Sequence, residues 1–318
     1  MASKTESAGQ PQFHFGNARS KLSFVKKYWP LYLISIPGLI YFVIFKYIPL
    51  FGSVIAFQNY NIFKGVSGSP WVGLVHFKRL FLYPEFMNIL KNTLLLGLYD
   101  LVFAFPIPII LALLLNEIRI NGYKRVLQTV LYMPHFLSWV IVGGMIIGLL
   151  SPTTGIVNQV LEWFNIEPIY FLGENSYIRS ILIGSSIWKD SGWGTIIYLA
   201  AIAGINPDLY EAAEIDGAGK LRQVLSITIP TILPTITILL LLHIGNFLDF
   251  GFERVFLFLN PLNSANGEIL DTYVYRAGLV DRQYSFTTAI GLFKSVVGLF
   301  LIVLGNTISK KATGEGLY

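Results

Sequence analysis

The chain alternates long apolar runs with shorter polar stretches. Six apolar runs stand out, at about residues 29–56, 93–115, 127–150, 178–204, 231–250 and 289–308. A helix of about twenty apolar residues crosses the ~30 Å hydrocarbon core of a bilayer, and each run is that long. Pro30, Pro37 and Pro49 break the first run at its ends. Pro106 and Pro108 kink the second, which a membrane helix tolerates when neighbours satisfy the freed carbonyls. Pro134 stands near the start of the third, and Gly143-Gly144 in its middle allows close helix contact. Trp188-Lys189-Asp190 interrupts the fourth. The pattern predicts an all-α integral membrane protein with six transmembrane helices. Residues 1–28 read as a polar, disordered tail and 309–318 as a second, short tail. Between the runs, 57–91 reads as an aromatic and polar loop and 251–288 as a soluble-looking one.

The stretch between the fourth and fifth runs, residues 205–230, is different in kind. It is polar and helix-forming in an otherwise apolar chain. Asn206 is a natural N-cap and Pro207 a natural first helical residue. Asp208 and Glu211 place negative charge in the first turns, where the helix dipole favours it. Gly217 follows about three turns later, where a helix can end in a left-handed residue. A second short helix is expected from Gly219 to about Ser226, after which Pro230 opens the next apolar run. The product is a helix-turn-helix knuckle. Its plainest reading is a solvated loop helix.

Composition narrows the class. The chain has 318 residues, 54% hydrophobic and only 13% charged, with mean hydropathy +0.61; soluble domains carry about 25% charged residues. Cysteine is absent, which excludes disulfides, thiolate nucleophiles and Cys-ligated metals. The net charge of +5 comes from residues scattered at membrane edges, not from a stripe that would bind nucleic acid. The N-terminal tail, the 116–126 loop, the knuckle and the C-terminal tail hold twelve of the 23 Lys and Arg; the alternate loops, longer in sum, hold seven. The positive-inside rule therefore predicts that both termini and the knuckle are cytoplasmic. No cleavage site for a signal peptide follows the first run.

The string Glu211-Ala212-Ala213, with Gly217 and then Ile227 to Pro230, resembles the EAA motif of binding-protein-dependent ABC importer permeases. Asp216 and Ala218 match the Asp-Gly-Ala of the sugar-permease version. Val224 stands where an aromatic residue is frequent, and Ile229 replaces the usual Leu before Pro. Further strings resemble permeases for complex oligosaccharides, including plant-wall and uronate-containing ones. They are Met133-Pro-His-Phe-Leu-Ser-Trp139, Ile187-Trp-Lys-Asp-Ser-Gly-Trp-Gly-Thr195, Gly251-Phe-Glu-Arg-Val-Phe256, Asp271-Thr-Tyr-Val-Tyr-Arg276 and Gly291-Leu-Phe-Lys-Ser-Val296. The resemblance covers about residues 25–318.

The resemblance implies the type I ABC importer permease fold in a cell membrane. It also implies a division of labour. An extracytoplasmic solute-binding protein delivers the sugar. A second permease subunit, usually a different chain, completes the path. Two ATPase subunits hold ATP and Mg²⁺, so this chain needs no cofactor of its own and no metal. Glu211, Ala212, Ala213, Asp216, Gly217, Ala218 and Pro230 would then form the coupling loop that docks on an ATPase. The chain has no Gly-x-x-x-x-Gly-Lys-Ser/Thr phosphate loop, in agreement with ATP being bound elsewhere.

Polar groups inside apolar spans are costly, and usually face a cavity or each other. The candidates for the sugar path are Asn92, Tyr99, Asp100, Trp139, Trp188, Lys189, Trp193 and Asn246, with His135, Asp190, His243 and Asp249 beside them. Rings stack on the apolar faces of sugars, and amides and charges bond hydroxyls. Each candidate also has a plainer role. Lys189 and Asp190 could meet headgroups, His135 and His243 could bond helix to helix, and Trp139 and Trp193 could sit in an interfacial belt. Asp249, Glu253 and Arg254 could form an ion pair at the outer edge. Lys46, Lys189 and Lys294 lie in or beside spans, where a cation would suit an acidic sugar. The rival reading is an ion-gradient-driven secondary transporter of sugars, with Asp100, the one acid deep in an apolar run, as its proton or ion carrier. An enzyme is disfavoured, because Gly-x-Ser-x-Gly and His-x-x-x-His are absent and the few His are far apart.

Overall fold

The computed structural model describes residues 18–314 and 316, and it is helical almost throughout. The tail expected over residues 1–28 lies outside the described residues as far as 17, as do 315, 317 and 318; from Ala18 onward the chain is helical. Contacts divide the chain into two units, 1–54 and 55–318.

Most of the first unit is α1, the apolar helix Lys27–Phe57, whose last three residues are counted in the second unit. Pro37 lies inside it without ending it. A wide π turn, Val43–Tyr47, precedes Pro49. The same device recurs twice in the second unit. Asp100–Ala104 precedes Pro106, and Val224–Thr228 precedes Pro230. Proline supplies no N–H, and its ring collides with the carbonyl four residues back. A turn widened by one residue moves that carbonyl aside, and Phe105 N–H bonds the Asp100 carbonyl at 2.9 Å. At Pro49 and Pro106 the expected break is therefore a bulge within a continuous helix, while beside Pro30 the helix is kinked at Tyr28.

The second unit runs α2 (Val75–Leu82), α3 (Pro84–Glu117), α4 (Asn121–Phe136), α5 (Trp139–Leu149), α6 (Ile156–Trp163) and α7 (Ile178–Ala203). It continues with α8 (Asp208–Ile215), α9 (Lys220–Gly245), α10 (Phe252–Phe258), α11 (Leu270–Val274) and α12 (Tyr284–Thr313). α3 begins nine residues before the expected span, because Pro84 serves as its first residue and Tyr83 is extended. The third run is not one straight span: α4 and α5 meet at 102° across Leu137-Ser138. Pro134 sits in the tight turn that ends α4, and Ser138 restarts the chain as N-cap of α5, accepting from Ile141 N–H at 3.3 Å.

Length and apolar composition single out four described helices as membrane-crossing, or five if the bent α4–α5 pair counts as one. α7, the expected fourth span, is an unbroken 26-residue helix whose middle is too polar to qualify, with Ser185, Ser186, Lys189 and Ser191 all buried. The stretch 251–288 is not a solvated loop, because it carries α10 and α11, whose apolar sides join the core. Three clusters build that core. Leu80, Phe86, Ile89, Leu270, Phe286 and Ile290 join α2, α3, α11 and α12. Leu96, Ile178, Leu182, Val255 and Phe258 join α3, α7 and α10. Ala112, Tyr198, Ile202 and Ile232 join α3, α7 and α9 beneath the knuckle. α7 takes part in the last two, and close approach to α4 requires Gly192, where a side chain would drive into the Leu131 backbone.

Candidate functional site

Two features of the second unit invite function: a polar cavity among the helices and the knuckle between α7 and α9. The knuckle is built as the residue types dictate. Asn206 Oδ1 accepts the Asp208 N–H at 3.1 Å, capping α8. Its end is a Schellman motif: Ala218 N–H reaches the Ala213 carbonyl at 2.8 Å and Gly217 N–H the Glu214 carbonyl at 3.1 Å. Gly217 has φ +77°, the left-handed conformation that an L side chain adopts only at a cost. Lys220 bridges back to Glu214 at 3.0 Å, which holds the Glu214 carboxyl below its ordinary range together with Gln223. Gln223 also bonds the Ala218 carbonyl, and Tyr210 reaches Thr228 Oγ1 at 2.9 Å. The knuckle is thus braced to the start of α9.

The separate second helix expected from Gly219 to Ser226 does not exist as such. Lys220–Gln223 is the first turn of α9, which passes through the wide turn before Pro230 and on to Gly245. The knuckle therefore ends in a rigid rod. Its outer surface is exposed: Glu211, Ala212, Asp216 and Gly217 face outward, with Ile215 87% and Leu221 74% exposed beside them. Glu211 and Asp216 make no ion pair among the described residues.

The cavity has a volume of about 540 Å³ and is walled by α3, α5, α7, α9 and α10 with the turn that precedes α10. Its polar groups are Asp100, Asp190, Asp249, His243, Asn246, Ser186, Ser191 and Arg254, with Trp139, Phe105 and Tyr198 as rings. Charges in it are held in pairs. His243 Nε2 stands 3.2 Å from Asp100 Oδ2, and Arg254 Nη1 stands 3.7 Å from Asp100 Oδ1. Arg254 is 7% exposed, donates to the Phe250 carbonyl and lies over the Phe250 ring at 3.7 Å. His135 Nδ1 meets Asp190 Oδ1 at 2.9 Å, and the His135 ring stacks on Trp193 at 4.7 Å. Such a wall can stack a sugar ring on Trp139 and accept hydroxyl protons at Asp and Asn oxygens. Among the described residues, Arg254 is the permanent cation in that wall.

Of the residues chosen from sequence, Asp100, Trp139, Asp190, His243, Asn246 and Asp249 line this cavity. Lys189 lies just behind it, 5.5 Å from the Trp139 ring, and it is buried, not snorkelling. Asn92 does not reach it. That side chain is fully buried, donates to the Ala265 carbonyl at 2.8 Å and accepts from Arg179. Tyr99 packs beside Phe103 on the core. Trp188 lines a second, apolar cavity of about 470 Å³ with Met145, Phe171 and Tyr177. Trp193 faces His135 instead of the cavity. The ion pair that Asp249, Glu253 and Arg254 could form is not found among the described residues. Arg254 pairs with Asp100, while Asp249 and Asp271 share Lys294 at 3.7 and 2.6 Å. Sequence reasoning missed Arg254 as a cavity residue because it sits in a stretch that reads as loop.

Residues 86–313 match the family described as binding-protein-dependent transport system inner membrane component. The chain is 52% identical to the polygalacturonan/rhamnogalacturonan transport system permease protein YteP of Bacillus subtilis (strain 168), over 91% of this chain and 90% of that one. It is 47% identical to protein LplB of the same organism, over 97% of each chain. Among solved structures, a chain of a bacterial ABC transporter involved in the import of the acidic polysaccharide alginate superposes with a TM-score of 0.86 at 41% identity, covering 92% of this chain and 99% of that one. A chain of a bacterial alginate ABC transporter in complex with an alginate pentasaccharide-bound periplasmic protein superposes equally well, with a TM-score of 0.86 at 41% identity, covering 93% of this chain and 99% of that one. These relatives are membrane-embedded transport subunits, not enzymes, and the chain belongs to the binding-protein-dependent transport system inner membrane component family of ABC importer permeases.

Proposed function

We propose that this chain is one of two permease subunits in an ATP-driven importer of oligosaccharides, uronate-containing ones in particular. The observation that carries the reading is the placement of α7. Its middle walls the polar cavity, and its C-terminal end runs into the exposed, braced knuckle. The relatives support the sugar class: one is named for polygalacturonan and rhamnogalacturonan, another for an acidic polysaccharide.

In this reading, the knuckle is cytoplasmic and docks on one of two ATPase subunits, which bind ATP and Mg²⁺. Glu211 and Asp216 offer unpaired carboxylates to basic residues there, and Ile215 and Leu221 offer apolar contact. Gly217 leaves the turn clear of a side chain. A second permease subunit, a different chain, closes the other side of the path, and an extracytoplasmic solute-binding protein loads it. Both termini are cytoplasmic. The lipid-facing surfaces of the apolar helices hold the chain in the cell membrane. Sugar stacks on Trp139 while Asn246, Asp190 and Asp249 accept hydroxyl protons and Arg254 attracts a carboxylate.

Uptake into energised vesicles tests this. With proton and sodium gradients collapsed by ionophores, uptake of trigalacturonate should continue while ATP is present and stop when it is withheld. Uptake that follows an ion gradient and ignores ATP would make Asp100 a carrier residue and end the importer reading.

A further inference from the structure

Two strings that the sequence singles out, Met133 to Trp139 and Ile187 to Thr195, turn out to hold each other. The first contains the break between α4 and α5. The second is the polar middle of α7. Three contacts join them. Lys189 Nζ donates to the His135 carbonyl at 2.7 Å. Asp190 Oδ1 meets His135 Nδ1 at 2.9 Å. Trp193 stacks on the His135 ring, with the planes 5° apart. Gly192 lets the two backbones come together between these contacts.

The chemistry explains why the residues are of these types. Where α4 ends, the last carbonyls have no helical N–H to bond. In a water-poor interior such a carbonyl needs another donor. Lys189 supplies it, although the residue is only 5% exposed. Asp190, 3.9 Å away, and the Trp139 ring, 5.5 Å away, offset the buried charge. An ammonium that only needed a counter-ion would have no reason to select a backbone oxygen at the break.

The position of this cluster gives it a consequence. Trp139, the first residue of α5, lines the cavity. The lysine that holds the break is fifteen residues before Gly204, about 22 Å along one unbroken helix that ends in the knuckle. A displacement of the knuckle moves α7 as a rod, and the staple makes the break follow it.

We propose that the Lys189–His135–Asp190 staple couples the knuckle to the cavity wall, with Lys189 as a positioning residue that acts through Trp139. The proposal rests on the importer reading given above. Loss of the staple should leave the assembly able to hydrolyse ATP while the cavity no longer follows.

The test is the number of sugars imported per ATP hydrolysed, measured with trigalacturonate in vesicles holding the whole transporter. Lys189→Met keeps the apolar stem and removes the donor. It should lower the ratio by about five-fold or more, in the range of coupling changes produced by single substitutions between distant sites. Lys189→Arg, which keeps a donor, should stay within about two-fold of the natural chain. His135→Phe keeps the stack on Trp193 but loses Asp190, and should lower the ratio in the same direction. It serves as the independent variant if Lys189→Met fails to assemble. An unchanged ratio in Lys189→Met, or in His135→Phe where Lys189→Met does not assemble, would overturn the proposal. A merely structural staple would lower the amount of assembled transporter and leave the ratio alone. The importer reading fails on a different outcome, a natural assembly in which ATP drives no import, and the proposed role of the staple would fall with it.

Discussion

Asp100 and Arg254 stand 3.7 Å apart across the cavity wall, an ion pair without a hydrogen bond between them. Asp100 Oδ1 and Arg254 Nε are both buried and have no hydrogen-bond partner among the described residues. Breaking a buried pair on one side costs on the order of 3–5 kcal/mol when it leaves the other charge unpaired, and less than that here, because His243 stays 3.2 Å from Asp100. Arg254→Met should therefore lower the melting temperature of the purified subunit. The double variant Asp100→Asn with Arg254→Met should recover most of the loss. Recovery of stability without recovery of sugar uptake would assign the pair to the path; recovery of both would make it a structural pair.

Gly192 makes a second, purely steric prediction. Any side chain there meets the Leu131 backbone, which cannot rotate away. Overpacking of this kind costs roughly 1–3 kcal/mol. Gly192→Ala should reduce assembled transporter in membranes, while Gly144→Ala, which has open space around it, should not. Equal yields from both would show that α4 and α7 do not pack this closely.

The knuckle carries a pH dependence. Lys220, and after it Gln223, hold the Glu214 carboxyl below its ordinary value. Such a group contributes stability above its unfolded pKa and loses the contribution as pH falls through the lowered folded value. Amide protection at Gly217 and Ala218 should fall on acidification through the lower carboxylate range. Lys220→Met should remove that step. Because the pair is exposed, the effect should be small and should fade in high salt.

Charge selectivity is also testable. Among the described residues the permanent cation that lines the cavity is Arg254, paired with Asp100, while Lys189 and Lys294 are bonded to the His135 carbonyl and Asp271 outside it. Competition for uptake should favour trigalacturonate over its methyl ester, and Arg254→Gln should reduce that preference. An uncharged oligosaccharide that competes equally well with the natural chain would contradict the uronate reading.

Much of the fold is legible from periodic apolar length, and much of the knuckle from local chemistry. Asn206, Pro207 and Gly217 act locally, so their roles can be read from neighbours in sequence. The continuity of α9 through Pro230 could not, because a proline reads as a stop unless a widened turn precedes it. The 102° break at Leu137-Ser138 was hidden for a similar reason, since an apolar run looks the same bent or straight. Residues that act at long range were the hardest. Asn92 and Arg179 are 87 positions apart, and nothing local shows that each satisfies the other. Arg254 became a cavity residue only once α10 folded against α5 and α7.

One measurement bears on the whole argument: ATP hydrolysis by the complete transporter in nanodiscs, with and without sugar-loaded binding protein, for the natural chain and for Gly217→Pro. Proline cannot adopt φ +77° and removes the N–H that bonds the Glu214 carbonyl. The natural assembly should hydrolyse ATP faster with loaded binding protein, and Gly217→Pro should abolish that stimulation while the subunits remain together. Stimulation that survives Gly217→Pro would show that the knuckle does not carry the signal between ATPase and cavity.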